Sequence, residues 1–90
     1  MATIGNIEIR NEEFEDLENI LNENGLNIEA EKEYQIQNIG NFALYIKEGE
    51  ANGYSVLLPY QVCLIKKETF NFYVKIKNSN FSTIINILGI

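Results

Sequence analysis

The sequence predicts an α+β domain, in which an antiparallel β-meander of four to five strands carries one main N-terminal helix and a short C-terminal helix on one face. Three observations predict this class: a capped amphipathic segment near the N-terminus, a series of alternating segments joined by short turns, and a helically spaced segment near the C-terminus. Short connections make consecutive strands antiparallel neighbours. With 90 residues, the chain is expected to form a single domain over 1–90.

The main helix is predicted from the segment NEEFEDLENILNENG. Asn11 is a good N-cap because its side-chain oxygen can accept a hydrogen bond from an unpaired N–H group of the first turn. Phe14, Leu17 and Leu21 then fall on one stripe, with Ile20 beside it. The stripe predicts a helix that packs its apolar side against the sheet and presents its carboxylates to solvent.

The end of this helix is predicted at Gly25. A glycine that follows the last turn can adopt the left-handed backbone conformation. Leu26 would then contact Leu21, which is the apolar contact that accompanies a Schellman ending.

The strands are predicted from alternation of apolar and polar residues. Asn52-Gly53 is the strongest hairpin signal in the chain, and Pro59 marks a bend or a sheet edge because it cannot donate a ladder hydrogen bond. The segments with this pattern are 6–10, 34–38, 42–47, 54–58, 60–66 and 70–77.

The C-terminal segment carries apolar residues at helical spacing. Phe81, Ile84, Ile85 and Leu88 recur at i, i+3, i+4 and i+7, behind Ser79 and Asn80 as candidate caps, and predict a two-turn helix.

One core is expected from the shared periodicities of these segments. Its predicted members are Phe14, Leu17, Leu21, Phe42, Leu44, Val62, Leu64, Phe72, Val74 and Ile84.

Charge is distributed unevenly along the chain. The formal net charge is −6. Residues 1–33 hold ten carboxylates against Arg10 and Lys32, whereas residues 34–90 hold five lysines against three glutamates. Such asymmetry can steer a partner, although a solvated acidic surface also keeps a small protein soluble.

The composition argues against an enzyme and against a cofactor or metal site. There is no histidine and only one cysteine. Cys63 has lysines nearby in sequence but no base that could activate it as a nucleophile. The carboxylates lack the pattern of a calcium loop, and the glycines fit no phosphate-binding spacing.

A protein-binding function is therefore expected, with a basic surface on another protein as the partner. The acidic surface of the predicted helix would make the contact, and it could occupy a nucleic-acid channel as carboxylates in place of phosphates. The residues predicted to bind the partner are Glu12, Glu13, Glu15, Asp16 and Glu23.

Two alternatives remain open. The outer face of the C-terminal strands, with Lys66, Tyr73, Lys75 and Lys77, could bind single-stranded nucleic acid by stacking and charge. The net charge of −6 disfavours nucleic acid, because phosphate contacts usually dominate such affinity. The third option is a structural homodimer that buries apolar residues left uncovered on the sheet.

The abundance of Ile and Asn is typical of AT-rich coding sequence and indicates a bacterium, its phage or a mobile element. In size and composition the chain is similar to phage-encoded inhibitors of bacterial defence such as anti-CRISPR proteins, a resemblance that implies inhibition through protein binding and assigns no residue roles. No basic-then-apolar leader or long apolar run is present, so a soluble cytoplasmic protein without membrane contact is expected.

Overall fold

A computed structural model of the chain describes residues 2–29, 31–49, 52–66, 71–78 and 80–90. The predicted α+β class is wrong, because the described residues are mostly strand, include a single helix of seven residues and form two antiparallel sheets of four strands. The elements of the described residues are β1 Ala2–Ile9, β2 Glu15–Asp16, α1 Leu17–Glu23, β3 Glu33–Asn38, β4 Leu44–Glu48, β5 Ser55–Leu57, β6 Val62–Lys66, β7 Phe72–Lys75 and β8 Thr83–Gly89.

The strand order also differs from a meander. The first sheet has the order β1-β8-β3-β6, and the second has the order β2-β7-β4-β5. Among the described strands, only the β4–β5 hairpin joins two consecutive strands as neighbours. The chain instead crosses repeatedly from one sheet to the other, so each sheet is built from segments that are distant in sequence.

The two sheets share one core. Buried side chains alternate with exposed or half-buried ones along β3, β4, β7 and β8, as expected for strands with one covered face. The first sheet contributes Ile36, Ile85 and Ile87, all fully buried, and the second contributes Leu44 and Val74. The architecture is therefore a β-sandwich, in which α1 adds its apolar stripe to the same core.

The main helix is shorter than predicted and begins later. Residues 12–16 do not form its first turns, because Asn11 does not cap it. The Asn11 side-chain amide instead donates hydrogen bonds to the carbonyl oxygens of Glu13 and Val74, both at 2.7 Å. Asp16 is the N-cap, and its carboxylate accepts the N–H of Glu18 at 2.9 Å. Pairing of β2 with β7 thus replaces about one turn of the predicted helix.

The predicted end of the helix is confirmed. Gly25 has φ +74°. The Leu26 N–H donates to the Leu21 carbonyl at 2.9 Å, and the Gly25 N–H donates to the Asn22 carbonyl at 3.1 Å. These two bonds form a Schellman motif, which local sequence alone specifies.

The predicted C-terminal helix is wrong. Residues 83–89 form β8, which lies between β1 and β3 in the first sheet. Its buried residues are Thr83, Ile85 and Ile87, so the period is two, and the helical spacing of Phe81, Ile84 and Ile85 does not describe the buried face. β-branched side chains favour such a two-sided central strand.

The predicted core is correct for Leu17, Leu21, Leu44, Phe72 and Val74, which are buried. It is wrong for four residues that are substantially exposed: Phe42 (41%), Val62 (51%), Leu64 (63%) and Ile84 (39%). Phe14 is half-buried on the outer surface.

Some predictions fall outside the described residues. These are the start of the sixth predicted strand at Phe70, the adjoining turn over 67–69, and Ser79 as a cap. Among the described residues, no helix is long and apolar enough to cross a membrane.

Candidate functional site

The predicted acidic binding surface does not lie on one helix face. Glu12 and Glu13 form a bend, Glu15 and Asp16 form β2, and Glu23 is the last residue of α1. All of these side chains are exposed except that of Asp16, which is half-buried. The structure therefore separates Glu23 from the acidic segment 12–16 by the length of the helix.

Asp16 has a structural role. One carboxylate oxygen caps α1, and the other accepts a hydrogen bond from the Asn71 side chain at 2.6 Å. Because both oxygens are engaged, Asp16 ties the helix start to the segment before β7. Glu13 and Glu15 thus present carboxylates to solvent more freely than Asp16 does.

The outer face of the second sheet carries an aromatic–lysine face, composed of Phe14, Tyr45, Lys47, Tyr54, Tyr73 and Lys75. Alternation places Tyr45 and Lys47 of β4 beside Tyr73 and Lys75 of β7, and the two strands are paired in register.

Two ammonium groups lie over the rings of this face. The Lys47 Nζ lies 4.8 Å from the centroid of the Phe14 ring, and the Lys75 Nζ lies 5.3 Å from the same centroid. They also approach the rings of Tyr73 and Tyr45 at 5.8 Å and 5.5 Å. Within the described residues, no carboxylate lies within 4.0 Å of either ammonium group. The lysines are held by cation–π attraction, which also stabilises the sheet surface.

This face contains only part of the predicted nucleic-acid site. Tyr73 and Lys75 belong to it, whereas Lys66 lies on β6 of the first sheet and Lys77 follows β7 in a bend. Lys47 was missed, although its position two residues after Tyr45 in an alternating strand placed both side chains on the same outer face. The pairing of β4 with β7 that brings Lys47 beside Tyr73 joins segments distant in sequence, and no local signal predicts it.

A third surface follows one side of the sandwich. β5 is the edge strand of the second sheet, β6 is the edge strand of the first, and a four-residue turn joins them. Every second residue along this segment exposes an apolar or aromatic side chain, by 44–69% of its surface. These residues, which we name the apolar margin, are Tyr54, Val56, Leu58, Tyr60, Val62 and Leu64.

The apolar margin wraps around the edge of the sandwich. Val56 is paired with Tyr45 and lies on the outer face of the second sheet. Val62 and Leu64 lie on the outer face of the first sheet, opposite Gln37 and Gln35. Leu58 and Tyr60 lie at the turn between them. Residues 54–65 contain no charged residue, so the only lysine on these two edge strands is Lys66 at the end of β6.

The turn of the margin has an unusual backbone. The Gln61 N–H donates to the Leu58 carbonyl at 3.0 Å, with Pro59 and Tyr60 in the two central positions. Tyr60 has φ +68°, which a type II turn requires at that position and which usually selects glycine or asparagine. The most exposed side chain of the margin, at 69%, therefore belongs to a residue in an unfavourable conformation.

A groove of about 430 Å³ opens near the start of the margin, lined in part by Ile46, Lys47, Tyr54, Cys63 and Phe72. Burial raises the pKa of the Cys63 thiol above its ordinary value. A raised pKa disfavours the thiolate that a nucleophile or metal ligand requires. Over the described part of the chain, no group of three or more His, Cys, Asp or Glu side chains is placed to hold a metal ion.

Comparison of the chain with protein-family models, with curated protein sequences and with solved structures found no match.

Proposed function

We propose that this chain is a non-enzymatic protein-binding module and that the apolar margin is its main binding surface. The observation that supports this is the continuous series of six exposed apolar side chains along two adjacent edge strands. Together these side chains expose on the order of 600 Å². An apolar patch of this size on a soluble protein is often a contact site.

Edge strands add a second source of affinity. β5 and β6 each have a hydrogen-bonded neighbour on one side only among the described strands. A partner strand can therefore bind by main-chain hydrogen bonds while its side chains contact the margin. This mode needs no charged anchor, in agreement with the uncharged segment 54–65.

The acidic segment contributes to the same proposal as a steering surface. Glu13 and Glu15 are exposed and lie in the part of the chain with most negative charge. Exposed carboxylates act mainly on association rate, so a partner with a basic surface would bind faster at low salt. Inhibition of the bound partner, which the resemblance to anti-defence proteins implies, stays a prediction.

Binding of single-stranded nucleic acid is the second candidate. It is favoured by the aromatic–lysine face, where the ammonium groups of Lys47 and Lys75 both lie near the Phe14 ring, at 4.8 Å and 5.3 Å from its centroid. Bases could stack on Tyr54, which is 56% exposed, while phosphates pair with the ammonium groups. The net charge of −6 opposes this candidate and ranks it second.

Site-specific photo-crosslinking in the native cells tests which surface contacts a protein. A photoreactive residue placed at position 60 reports on the apolar margin, one at position 13 reports on the acidic segment, and one at position 22 on the exposed side of α1 is the control. We expect a defined adduct from position 60. An adduct from position 13 alone would show that the acidic segment is the binding surface, and no adduct from either position would contradict protein binding.

Fluorescence anisotropy with a single-stranded oligothymidylate tests the second candidate. If the aromatic–lysine face binds nucleic acid, Lys47→Ala and Lys75→Ala should each weaken binding, while Lys77→Ala, outside that face, should have a smaller effect. An oligonucleotide that does not bind the wild-type protein at low salt would exclude this candidate.

A further inference from the structure

The free edge of β6 has a defined hydrogen-bonding pattern. The Asn38 N–H donates to the Gln61 carbonyl at 3.1 Å, and the Asn38 carbonyl accepts the Tyr60 N–H, so both backbone groups of Asn38 point toward the β6 side of β3. Hydrogen-bonded pairs alternate with non-bonded pairs along an antiparallel ladder. The same alternation assigns Cys63 to a bonded pair with Ile36, so the N–H and C=O groups of Val62 and Leu64 point away from β3.

We propose that a second copy of this chain occupies the apolar margin, with the two β6 strands paired antiparallel across a two-fold axis at Cys63. This inference rests on the proposed function of the margin as a protein-binding surface and names its partner. The two first sheets would join into one continuous sheet of eight strands.

Charge favours a second copy at this margin. Each copy carries a net charge of −6, so most approaches of two copies bring carboxylates together. The segment 54–65 is uncharged, and a two-fold axis through it sets that segment against itself. Two copies can therefore meet here without opposing like charges.

The register follows from side-chain chemistry. With the axis at Cys63, Val62 of each copy lies opposite Leu64 of the other copy. The exposed apolar side chains of the two β6 strands therefore contact each other. The four edge-pointing groups of each copy then pair with those of the other copy. With the axis at Leu64 instead, Val62 would lie opposite Lys66. The axis at Cys63 sets Val62 against Leu64 and leaves Lys66 opposite Tyr60, whose ring can accept an ammonium group.

The β6 contact uses part of the apolar margin. The whole margin exposes on the order of 600 Å² per copy, and a stable interface buries roughly 800 Å² per partner. Pairing of the two β6 edges brings together Val62 and Leu64 of both copies, whereas Val56 lies on the outer face of the other sheet. The contact therefore combines main-chain hydrogen bonds with the apolar side chains that it covers.

Sedimentation equilibrium tests the proposal with a matched pair of variants. Leu64→Lys places a charge at the two-fold contact, whereas Ile84→Lys changes an exposed apolar residue on the same outer face but on a central strand. We expect the wild type and Ile84→Lys to dimerise equally, and Leu64→Lys to weaken dimerisation by more than about 100-fold. Circular dichroism should show that both variants stay folded, because both positions are exposed.

The natural Cys63 thiol can report the register of the two paired β6 strands without any substitution. Across a two-fold axis at Cys63 the two residues form a non-bonded pair with Cα atoms about 4.5 Å apart, a separation that a disulfide can span. Treatment with diamide, which takes up the two protons and two electrons released by two thiols, should then give a disulfide-linked dimer in the wild type and not in Leu64→Lys.

Three results would overturn the inference. A wild type that stays monomeric at concentrations on the order of 100 µM would exclude the second copy. If position 60 still crosslinked to another protein in that case, the margin would remain a binding surface for a different partner. Dimerisation lost in Ile84→Lys but retained in Leu64→Lys would place the contact on the sheet face. A dimer that diamide does not link through Cys63 would show that the register is wrong.

Discussion

The buried side chains of Asn38 and Thr83 meet in a 2.6 Å hydrogen bond, in which the Thr83 hydroxyl donates to the Asn38 amide oxygen. Asn38 is fully buried, and its amide nitrogen donates to the carbonyl oxygens of Phe42 and Leu57 at 2.7 Å and 2.9 Å. Since Thr83 lies in the first sheet and Leu57 in the second, this one side chain links the two sheets.

Asn38→Ala should destabilise the fold by about 3 kcal/mol or more, because it leaves buried carbonyl groups and a hydroxyl without partners. Chemical denaturation measures the free energy of unfolding. Thr83→Ser is the control, since it keeps the hydroxyl and should lose much less. Equal losses in the two variants would mean that packing, not the hydrogen-bond network, accounts for the effect.

Gly40 lies directly against this junction. A Cβ at position 40 would lie 2.6 Å from the Ile84 backbone nitrogen and 2.9 Å from the Thr83 Cα, closer than nonbonded atoms approach. Gly40→Ala should therefore destabilise the protein by about 1–3 kcal/mol or more, as overpacking of a core residue does. A Cβ at Gly53 would meet no atom within 4 Å, so Gly53→Ala is the matched control and should melt near the wild type.

Within the acidic segment, Asp16 should contribute to the stability of the fold, whereas Glu13 should not. Asp16→Ala removes the cap of α1 and the bond to Asn71, and it should lower the free energy of unfolding by about 1–2 kcal/mol. Glu13→Ala should change stability by less than about 0.5 kcal/mol. Thermal melts of the two variants measure the difference, and a large loss in Glu13→Ala would show that the acidic segment is structural throughout.

Local signals in the sequence predict the local parts of this fold. The Schellman ending at Gly25 and the pairing of β4 with β5 depend on contacts between near neighbours, and both are predicted, although the pairing of Ile46 with Ser55 shows that Asn52-Gly53 is not a two-residue hairpin turn. Residues 83–89 show what local signals leave open. Ile84, Ile85 and Leu88 fit a helical period, whereas pairing with both β1 and β3 selects a strand that buries Ile85 and Ile87. Long-range pairing with β1 and β3 therefore determines that this segment is a strand and not a helix.

The candidate site was predicted incompletely for the same reason. The alternation in 60–66 suggested that Val62 and Leu64 face the core, but Cys63 and Ile65 face it and Val62 and Leu64 are exposed. Both faces of that segment are apolar, so hydrophobicity alone could not fix which one is covered. The apolar margin is a consequence of this choice and of the edge position of β6, which depends on long-range strand order.

The Cys63 thiol should make stability depend on alkaline pH. Burial raises its pKa in the folded state above the ordinary value of 9.0. The folded protein then holds this proton more tightly than the unfolded chain. The contribution to stability is fully present below the unfolded pKa and is lost as pH rises through the folded pKa.

Denaturation of wild type and Cys63→Ala between pH 7 and a pH above 9.0 measures this effect. The difference in unfolding free energy between the two proteins should change in favour of Cys63→Ala as pH rises. A difference that stays constant across this range would show that the thiol titrates alike in both states.

Tyr60 should oppose stability and promote binding. Its φ of +68° costs a residue with a Cβ about 1 kcal/mol, which glycine avoids and asparagine reduces. Tyr60→Asn should therefore unfold at a higher denaturant concentration than the wild type while it loses the most exposed side chain of the apolar margin. Stability should be compared in the Leu64→Lys background, because self-association would otherwise stabilise only the proteins that bind.

Association should be compared in proteins that keep Leu64. There, Tyr60→Asn should weaken association, and Tyr60→Phe, which keeps the ring and the strained backbone, should preserve it. A Tyr60→Asn protein that associates as strongly as the wild type would show that this side chain makes no contact with a partner and that its backbone conformation has no connection with binding.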